Sequence, residues 1–340
     1  MKHNVVSLSA CFVFLSLNTA LAGPNELPQK VTRLIPAAEA EGQVHVFGTT
    51  LNPRQKRVMN RSFNSFYGTD IKVILTGGLH SSKSSEVAMA ARARVPTGID
   101  IMWTGQIKPL LDANALVEVD WVEELGVEPA LTMGAYGLRT HDGHLSMVTV
   151  NTNLVPPEAE PRSYWDLLDP KWTNRLAIPR SPFPWIFLSY AMGEDQVEDL
   201  LTQLMKKQNP KRLPRYADIR TRVIGGEFPV TIGTDAFTPM ALGAPVRHPD
   251  MDILVLASTG AFILADSPHK TVAKLWGYWA ISDEGQQVLE QVRAYSLSTS
   301  PGTALYEYAN GRKTYHVPLD WRLEHNDRLV KKYLAIMKIR

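Results

Sequence analysis

The chain contains very little cysteine and has no strong excess of charge of either sign. Its 340 residues include a single cysteine, Cys11, and 36 Lys and Arg residues stand against 34 Asp and Glu residues, which gives a formal net charge of +2. One cysteine can form no intramolecular disulfide and no cysteine-based metal site. Without a basic tract or zinc-ligand spacing, the sequence offers no signal for nucleic-acid binding.

Common catalytic motifs are also missing. The sequence has no HExxH segment, no GxSxG nucleophile elbow and no phosphate-binding P-loop. Asp166 and Asp169 are too close in sequence to suggest a pair of glycosidase carboxylates. We therefore predict a protein that is not an enzyme, and a secreted enzyme whose site is assembled from distant residues remains an alternative.

The N-terminus has the layout of a secretory signal. Lys2 supplies a positive charge, Val5–Leu17 is apolar, and Ala20-Leu21-Ala22 resembles a cleavage site. The apolar run is short for a membrane span. Residues 1–22 are predicted to be a cleaved signal peptide, so that the protein is exported to the periplasm. Lipid attachment at Cys11 is disfavoured, because only about four apolar residues precede it where roughly seven or more are needed.

Apolar runs alternate with helical patterns along most of the chain, which is typical of α/β proteins with mostly parallel sheets. Two helices are predicted, at Pro53–Tyr67 and Ser84–Arg94. The predicted strands are Val44–Gly48, Ile71–Leu75, Ile99–Trp103, Leu145–Asn151, Leu176–Ile178, Pro229–Gly233, Ile253–Leu256 and Gly260–Leu264. The length exceeds one ordinary domain and predicts two lobes.

The segment Ser163–Pro182, SYWDLLDPKWTNRLAIPRSP, is the most informative part of the sequence. Ser163 is a predicted N-cap for a short amphipathic turn that ends at Pro170. A short buried parallel strand, Leu176–Ile178, follows, and a helix is predicted to begin near Trp185. A loop between a strand end and a helix N-terminus favours an anion.

This segment resembles a block of the extracellular solute-binding proteins of ABC importers, in the group that includes ferric-iron and phosphonate binders. Three further segments resemble blocks of the same family: Glu41–Val73, Gly225–Gly233 (GGEFPVTIG) and Gly260–Gln287. The four blocks occur in the family's order across roughly residues 41–291.

The resemblance implies a type II periplasmic-binding-protein fold, with two α/β lobes joined by a two-strand hinge and a ligand cleft between them. Lobe one would comprise residues 43–150 plus 254–298, and lobe two residues 151–253 plus 299–340. The implied function is to capture a small organic anion or zwitterion by lobe closure and deliver it to an ABC transporter permease. We expect a monomer without cofactor, bound metal or stable membrane insertion.

Loops at the carboxyl ends of the predicted strands are the expected ligand contacts. In lobe one the candidates are Thr49, Thr50, Gly78, Ser81, Ser82 and Gly105. In lobe two and at the second crossing they are Arg180, Ser181, Phe183, Trp185, Thr234, Asp235, Ser258 and Thr259. Of these, Arg180 is the leading candidate because a guanidinium pairs bidentately with a carboxylate or phosphonate. Arg139 is a further candidate anion partner.

Two metal interpretations can be weighed on the sequence. Ferric-binding members of the family use adjacent tyrosines, and this chain has no Tyr-Tyr pair, which disfavours a ferric-ion receptor but leaves it as the alternative. The segment His141-Asp142-Gly143-His144 contains two histidines, yet Asp-Gly is a strong hairpin signal. It is predicted to be a turn with exposed histidines.

Overall fold

The structure, a computed structural model, describes residues 27–234 and 236–338, so the predicted signal peptide and Asp235 lie outside the described residues. The strands are β1 Gln43–Gly48, β2 Lys72–Gly77, β3 Ile101–Thr104, β4 Thr132–Met133, β5 Gly137–Gly143, β6 Val148–Asn151, β7 Leu176–Pro179, β8 Lys211–Leu213, β9 Val230–Ile232, β10 Val246–Arg247, β11 Leu254–Ile263 and β12 Thr314–Val317. The helices are α1 Gln29–Thr32, α2 Ile35–Glu41, α3 Pro53–Tyr67, α4 His80–Ala93, α5 Lys108–Leu111, α6 Trp121–Leu125, α7 Phe183–Met192, α8 Glu194–Gln203, α9 Tyr216–Ile224, α10 Phe237–Ala241, α11 Lys270–Ile281, α12 Asp283–Arg293, α13 Ala304–Ala309 and α14 Leu319–Met337.

Two sheets form the centres of the two lobes. The first has the order β2-β1-β3-β11-β5-β4, with β12 also paired to β11, and the second has the order β10-β6-β9-β7-β8. In the first sheet β1 is parallel to β2 and β3, whereas β11 is antiparallel to β3 and β5. In the second sheet β7 is parallel to both of its neighbours. The prediction of an α/β architecture with a buried parallel strand at Leu176–Ile178 is confirmed.

The predicted helix start at Pro53 and the predicted cap at Ser163 are confirmed, whereas the start of α4 differs from the prediction. Helix α3 has the predicted bounds, and Asn52 and Gln55 form a capping box at its first turn. Ser163 caps a turn of 3-10 helix, Tyr164–Leu168, with Asp166 as its reciprocal partner. Helix α4 begins at His80, one turn before the predicted Ser84.

The prediction of two strands at Ile253–Leu256 and Gly260–Leu264 is wrong, because β11 is a single strand of ten residues. Gly260 does not interrupt it. A Cβ at this position would lie 2.4 Å from the Met133 Sδ atom and 2.8 Å from the Leu138 carbonyl oxygen. The glycine therefore permits a close approach of β5 rather than a turn.

The predicted turn at His141–His144 is also wrong. His141, Asp142 and Gly143 lie in β5, and His141, Asp142 and His144 are buried. The β5 and β11 ladder pairs Thr259 with His141 and Gly260 with Arg139, so Thr140 is an extra residue on β5. This bulge changes which side chains share a face of the strand, and Arg139 pairs with Asp142 at 2.5 Å.

The chain passes between the two sheets along β5 to β6 and again along β10 to β11. Separate core clusters lie beside the two sheets, and the cluster beside the second sheet also includes Val255 and Ala257 of β11 and Val317 of β12, which belong to the first sheet. Helix α14 contacts both lobes, since Leu319 and Leu323 pack against a cluster of lobe one while Leu329 and Tyr333 belong to the core of lobe two. The predicted lobe boundaries at 43–150 plus 254–298 and 151–253 plus 299–340 remain predictions.

Among the helices of residues 27–234 and 236–338, none combines the length and the apolar composition that a membrane crossing requires.

Candidate functional site

A cavity of about 770 Å³ lies between the lobes. Lobe one contributes residues that follow strands of its sheet, such as Thr49 after β1 and Gly105 after β3. Lobe two contributes Phe183 and Tyr216, the first residues of α7 and α9. Loops at the carboxyl ends of strands form the usual ligand crevice of α/β folds, so the location agrees with the expectation from the sequence.

Only some of the residues predicted in lobe one line the cavity. Thr49 and Gly105 line the cavity, whereas Thr50, Gly78, Ser81 and Ser82 are exposed and do not line it. His80, at the start of α4, lines the cavity in the region where Ser81 and Ser82 were expected. A ligand role for the exposed four remains a prediction without support from this arrangement.

Likewise, only some of the residues predicted in lobe two line the cavity. Phe183 and Thr234 line the cavity, and Asp235 lies outside the described residues. Arg180 is exposed and its amide is bonded to the Leu213 carbonyl at 2.9 Å, while Ser181 is half-buried; neither lines the cavity. Trp185 is completely buried in the core of lobe two, because α7 starts at Phe183 and turns its third residue inward.

At the second crossing, Thr259 lines the cavity and Ser258 does not. The Ser258 hydroxyl instead donates to the Asp142 Oδ1 atom at 3.0 Å. Arg139, the further anion partner proposed from the sequence, also binds Asp142, through Nε at 2.8 Å and Nη2 at 2.5 Å. Both side chains are therefore committed to a structural carboxylate rather than directed toward a ligand.

The side chain that the sequence analysis missed is Arg322, in the first turns of α14. It lines the cavity and is only 4% exposed, and its Nε and Nη2 atoms have no hydrogen-bond partner. Burial lowers the pKa of this guanidinium to about 10, so it stays charged at neutral pH. A buried charge without a partner is costly, and an anion in the cavity would supply the missing bonds.

The space beside this guanidinium is open because residue 105 is a glycine. A Cβ at Gly105 would lie 3.5 Å from the Arg322 Nη1 atom and 3.6 Å from the Thr259 Oγ1 atom. Asn326, one turn further along α14, also lines the cavity, and its Oδ1 atom is buried without a partner. Arg322, Gly105 and Thr259 thus lie close together in the cavity wall.

A sequence signal for Arg322 does exist. The buried positions Leu329, Tyr333 and Ile336 of α14 follow the spacing of an amphipathic helix. Residue 322 lies seven positions before Leu329 and therefore falls on the same stripe. An arginine on the apolar stripe of a helix is expected to be a buried charge.

Arg220 and Arg293 bring two more guanidinium groups to the cavity, from α9 and the last residue of α12. Arg293 lies over the Tyr295 ring at 5.4 Å, and its Nε atom has no partner. No aspartate or glutamate is among the described residues that line the cavity. The described lining is therefore cationic.

Aromatic rings cover much of the remaining wall. On the side of lobe one, the His141 and Tyr295 rings stack with centroids 4.4 Å apart at 7°, and Trp103 meets His141 edge-on at 5.5 Å. Burial lowers the pKa of His141 to about 3, which keeps its ring neutral at pH 7. On the side of lobe two, Phe183 and Phe187 lie 5.8 Å apart.

Within the described part of the chain, no group of three or more histidine, cysteine, aspartate or glutamate side chains is arranged to hold a metal ion. The cavity instead offers guanidinium groups, hydroxyls, aromatic rings and helix N-termini. This set of donors is suited to an organic anion.

Several solved structures share this fold at low sequence identity. Iron-bound HitA from Pseudomonas aeruginosa matches with a TM-score of 0.66 and 16% identity, covering 86% of this chain and 99% of that one. AfuA from Actinobacillus pleuropneumoniae with bound fructose-6-phosphate matches at 0.65 and 18%, covering 88% and 100%. MotA from A. tumefaciens B6 in complex with glucopine matches at 0.62 and 14%, covering 87% and 99%.

No family model matches the chain, and no curated protein matches its sequence. The structural likeness nonetheless defines the class of fold, since each match covers nearly the whole of a periplasmic binding protein. The chain has the type II periplasmic-binding-protein fold with two α/β lobes, as the sequence resemblance implied.

Proposed function

We propose that this protein is a periplasmic solute-binding receptor that captures a small organic anion between its lobes and delivers it to the permease of an ABC transporter. The proposal includes export through the signal peptide 1–22 and action as a monomer that catalyses no reaction. The observation that carries it is the buried, unpartnered guanidinium of Arg322 in a cavity between the lobes.

Three features support an anionic ligand. The described lining contains Arg220, Arg293 and Arg322 and no carboxylate. The N-termini of α4, α7 and α9 reach the cavity through His80, Phe183 and Tyr216, and a helix N-terminus carries a partial positive charge. A zwitterion would also need a partner for its ammonium group, for which Asp235 remains the candidate from the sequence.

The structural matches support the receptor class without fixing the ligand. HitA is described with iron, AfuA with fructose-6-phosphate and MotA with glucopine, so the same fold serves chemically different solutes. The ferric alternative has less support in this chain. Ferric ion favours phenolate and carboxylate oxygens, and the described lining has two tyrosines, Tyr216 and Tyr295, with no carboxylate beside them.

The test is a thermal-shift panel on the purified exported protein, with carboxylates, organophosphates, phosphonates, polyamines, neutral sugars and Fe³⁺. A ligand that binds only the native state raises the melting temperature. We expect anions alone to do so. Arg322→Met should abolish the shift, because it removes the buried partner of the acid group.

Arg328→Met is the matched control, since Arg328 lies on the same helix but is exposed and pairs with Glu194 at 2.7 Å. Its shift should equal that of the wild type. A shift produced by polyamines or Fe³⁺ and unaffected by Arg322→Met would contradict the proposed anion receptor.

A further inference from the structure

The cavity carries more positive charge than one acid group can neutralise. Three arginines line it, and the described residues provide none of them with an ion pair. Asp235 follows the lining residue Thr234 in sequence, and subtracting its carboxylate still leaves an excess of two positive charges. The charge balance thus calls for a ligand with at least two negative charges.

Two of the three histidines in the described lining, His80 and His141, add no positive charge at neutral pH. Burial lowers the pKa of His141 to about 3 and also lowers the pKa of His80. Both rings are therefore neutral near pH 7, and the positive charge comes from the arginines. It is constant across the physiological pH range, because a guanidinium does not lose its proton there.

The three guanidinium groups are also distributed over separate elements. Arg220 lies on α9 of lobe two, Arg293 at the end of α12 of lobe one, and Arg322 on α14, which contacts both lobes. A carboxylate makes its bidentate pair with one guanidinium at a time. A ligand that engages arginines of both lobes needs acid oxygens at more than one place, or a phosphate group with three of them.

Flat apolar surfaces occupy both sides of the same cavity. The His141, Tyr295 and Trp103 rings belong to lobe one, and Phe183 and Phe187 belong to lobe two. Stacking of aromatic rings contributes about 0.5–1.5 kcal/mol beyond the burial of area. A planar ring placed between the lobes would gain such contacts from either side, whereas a flexible aliphatic chain would not.

We infer that the ligand is an aromatic or heteroaromatic small molecule with at least two negative charges, carried as two carboxylates or as one phosphomonoester. The inference rests on the proposed function and narrows its ligand class. The cavity volume of about 770 Å³ lies in the range of about 300–1,000 Å³ that is usual for small organic ligands. It is far larger than a bare metal ion needs.

Isothermal titration at pH 7.5 with six probes tests the inference. Phthalate and phenyl phosphate are the aromatic dianions, and comparing their affinities distinguishes a preference for a dicarboxylate from a preference for a phosphomonoester. Benzoate is the aromatic monoanion, succinate and glycerol 2-phosphate are the aliphatic dianions, and benzyl alcohol is the neutral ring. At least one aromatic dianion should bind tenfold or more tightly than all four of the other probes.

Two variants separate the contributions of charge and ring. Arg220→Gln should weaken the aromatic dianion at least tenfold and change benzoate binding less. Phe183→Leu should reduce the preference for the aromatic dianion over its aliphatic counterpart while leaving the affinity for succinate or glycerol 2-phosphate unchanged. Circular dichroism and melting temperature establish that each variant is folded.

The outcomes distinguish this inference from the proposed function. If succinate or benzoate binds as tightly as the aromatic dianions, the inferred ligand class is wrong, but the proposed anion receptor is not contradicted. Failure of both aromatic dianions to bind at millimolar concentration would also overturn the inferred ligand class. The thermal-shift panel would then test separately whether the protein is an anion receptor. Tightest binding of benzyl alcohol would reject both.

Discussion

Asp142 and Arg322 are both buried charges, yet they have opposite surroundings. The carboxylate of Asp142 accepts hydrogen bonds from the Arg139 guanidinium, the Ser258 hydroxyl, and the amide and hydroxyl of Ser298 at 2.5–3.0 Å. The guanidinium of Arg322 has two nitrogens without any partner. A fully bonded buried charge holds elements of the fold together, whereas an unbonded one facing a cavity indicates a binding site.

The position of Asp142 explains why it is bonded so completely. It lies in β5, Ser258 lies in β11, and Ser298 belongs to the segment after α12. The His316 Nδ1 atom, from β12, lies 3.8 Å from Asp142 and 3.2 Å from the Arg139 Nη2 atom. The carboxylate therefore joins strands and a loop beside the connections between the lobes, where a loss of order would affect both.

Asp142→Ala should strongly destabilise the protein. Removal of the carboxylate leaves the half-buried Arg139 guanidinium without its counter-charge and several donors without an acceptor, so we expect a loss of about 3 kcal/mol in the free energy of unfolding. Urea denaturation followed by circular dichroism measures it. Asp250→Ala is the control, because Asp250 pairs with Arg312 at the surface. A loss below 1 kcal/mol for Asp142→Ala would mean that the bonds of this carboxylate do not stabilise the fold.

Arg322→Met should have the opposite sign in the ligand-free protein. Methionine is similar in length and needs no hydrogen bonds, so replacing an unpartnered buried charge should raise the free energy of unfolding by about 1–4 kcal/mol. Denaturant titration of the wild type and the variant without ligand tests this. Destabilisation by Arg322→Met would mean that the guanidinium is bonded in the free protein and that the contrast with Asp142 is false.

The pH dependence of stability should differ between the charged Asp142 and the neutral His141, which are both buried. Burial lowers the pKa of His141 to about 3, and the bonds of Asp142 lower its pKa to about 2 against the desolvation that raises it. The unfolded chain takes up a proton at His141 below about pH 6.5 that the folded protein does not, so stability falls by up to about 1.4 kcal/mol per pH unit as pH decreases from there.

His141→Phe should remove this contribution to the pH dependence of stability. His325→Phe is the control for the loss of an imidazole, because His325 is half-buried and its ring stacks on Trp321 in a similar way. The contribution of Asp142 is present above about pH 3.8 and is lost as pH falls toward about 2. Stability measured by denaturant between pH 2 and pH 8 gives both profiles. An unchanged slope between pH 6 and pH 4 in His141→Phe would contradict the assignment.

Arg180→Ala should change the protein very little. Its side chain is exposed and does not line the cavity, so we expect changes within about 0.5 kcal/mol in both stability and ligand affinity. Titration calorimetry compares the ligand affinities of Arg180→Ala and Arg322→Met. A tenfold loss of affinity in Arg180→Ala would restore the site that was expected from the sequence.

Features that depend on neighbouring residues were predictable from the sequence. The start of α3 at Asn52-Pro53 and the cap at Ser163 follow from local hydrogen bonding, and the buried strand at Leu176–Ile178 follows from its apolar run. The first and third strands of lobe one likewise carried Thr49 and Gly105 to the cavity. These are contacts that a short stretch of chain sets by itself.

Features that depend on distant packing were not predictable in the same way. The Thr140 bulge, which forms against β11, brings Arg139 and Asp142 together, and nothing in the local sequence reports it. The loop after β7 has the expected composition, but α7 turns Trp185 into the core instead of the cavity. Arg322 could have been found from its place on the apolar stripe of α14, although its lack of a partner is visible only in three dimensions.

The position of Trp103 makes the cavity optically observable. The chain has eight tryptophans, and Trp103 is the one found among the described residues of the cavity wall. Its indole nitrogen is bonded to the Thr140 hydroxyl at 2.8 Å, and its ring lies 5.6 Å from that of Trp276. We therefore expect occupation of the cavity to change the emission of this indole, which would give the protein its own fluorescent reporter of ligand without an attached dye.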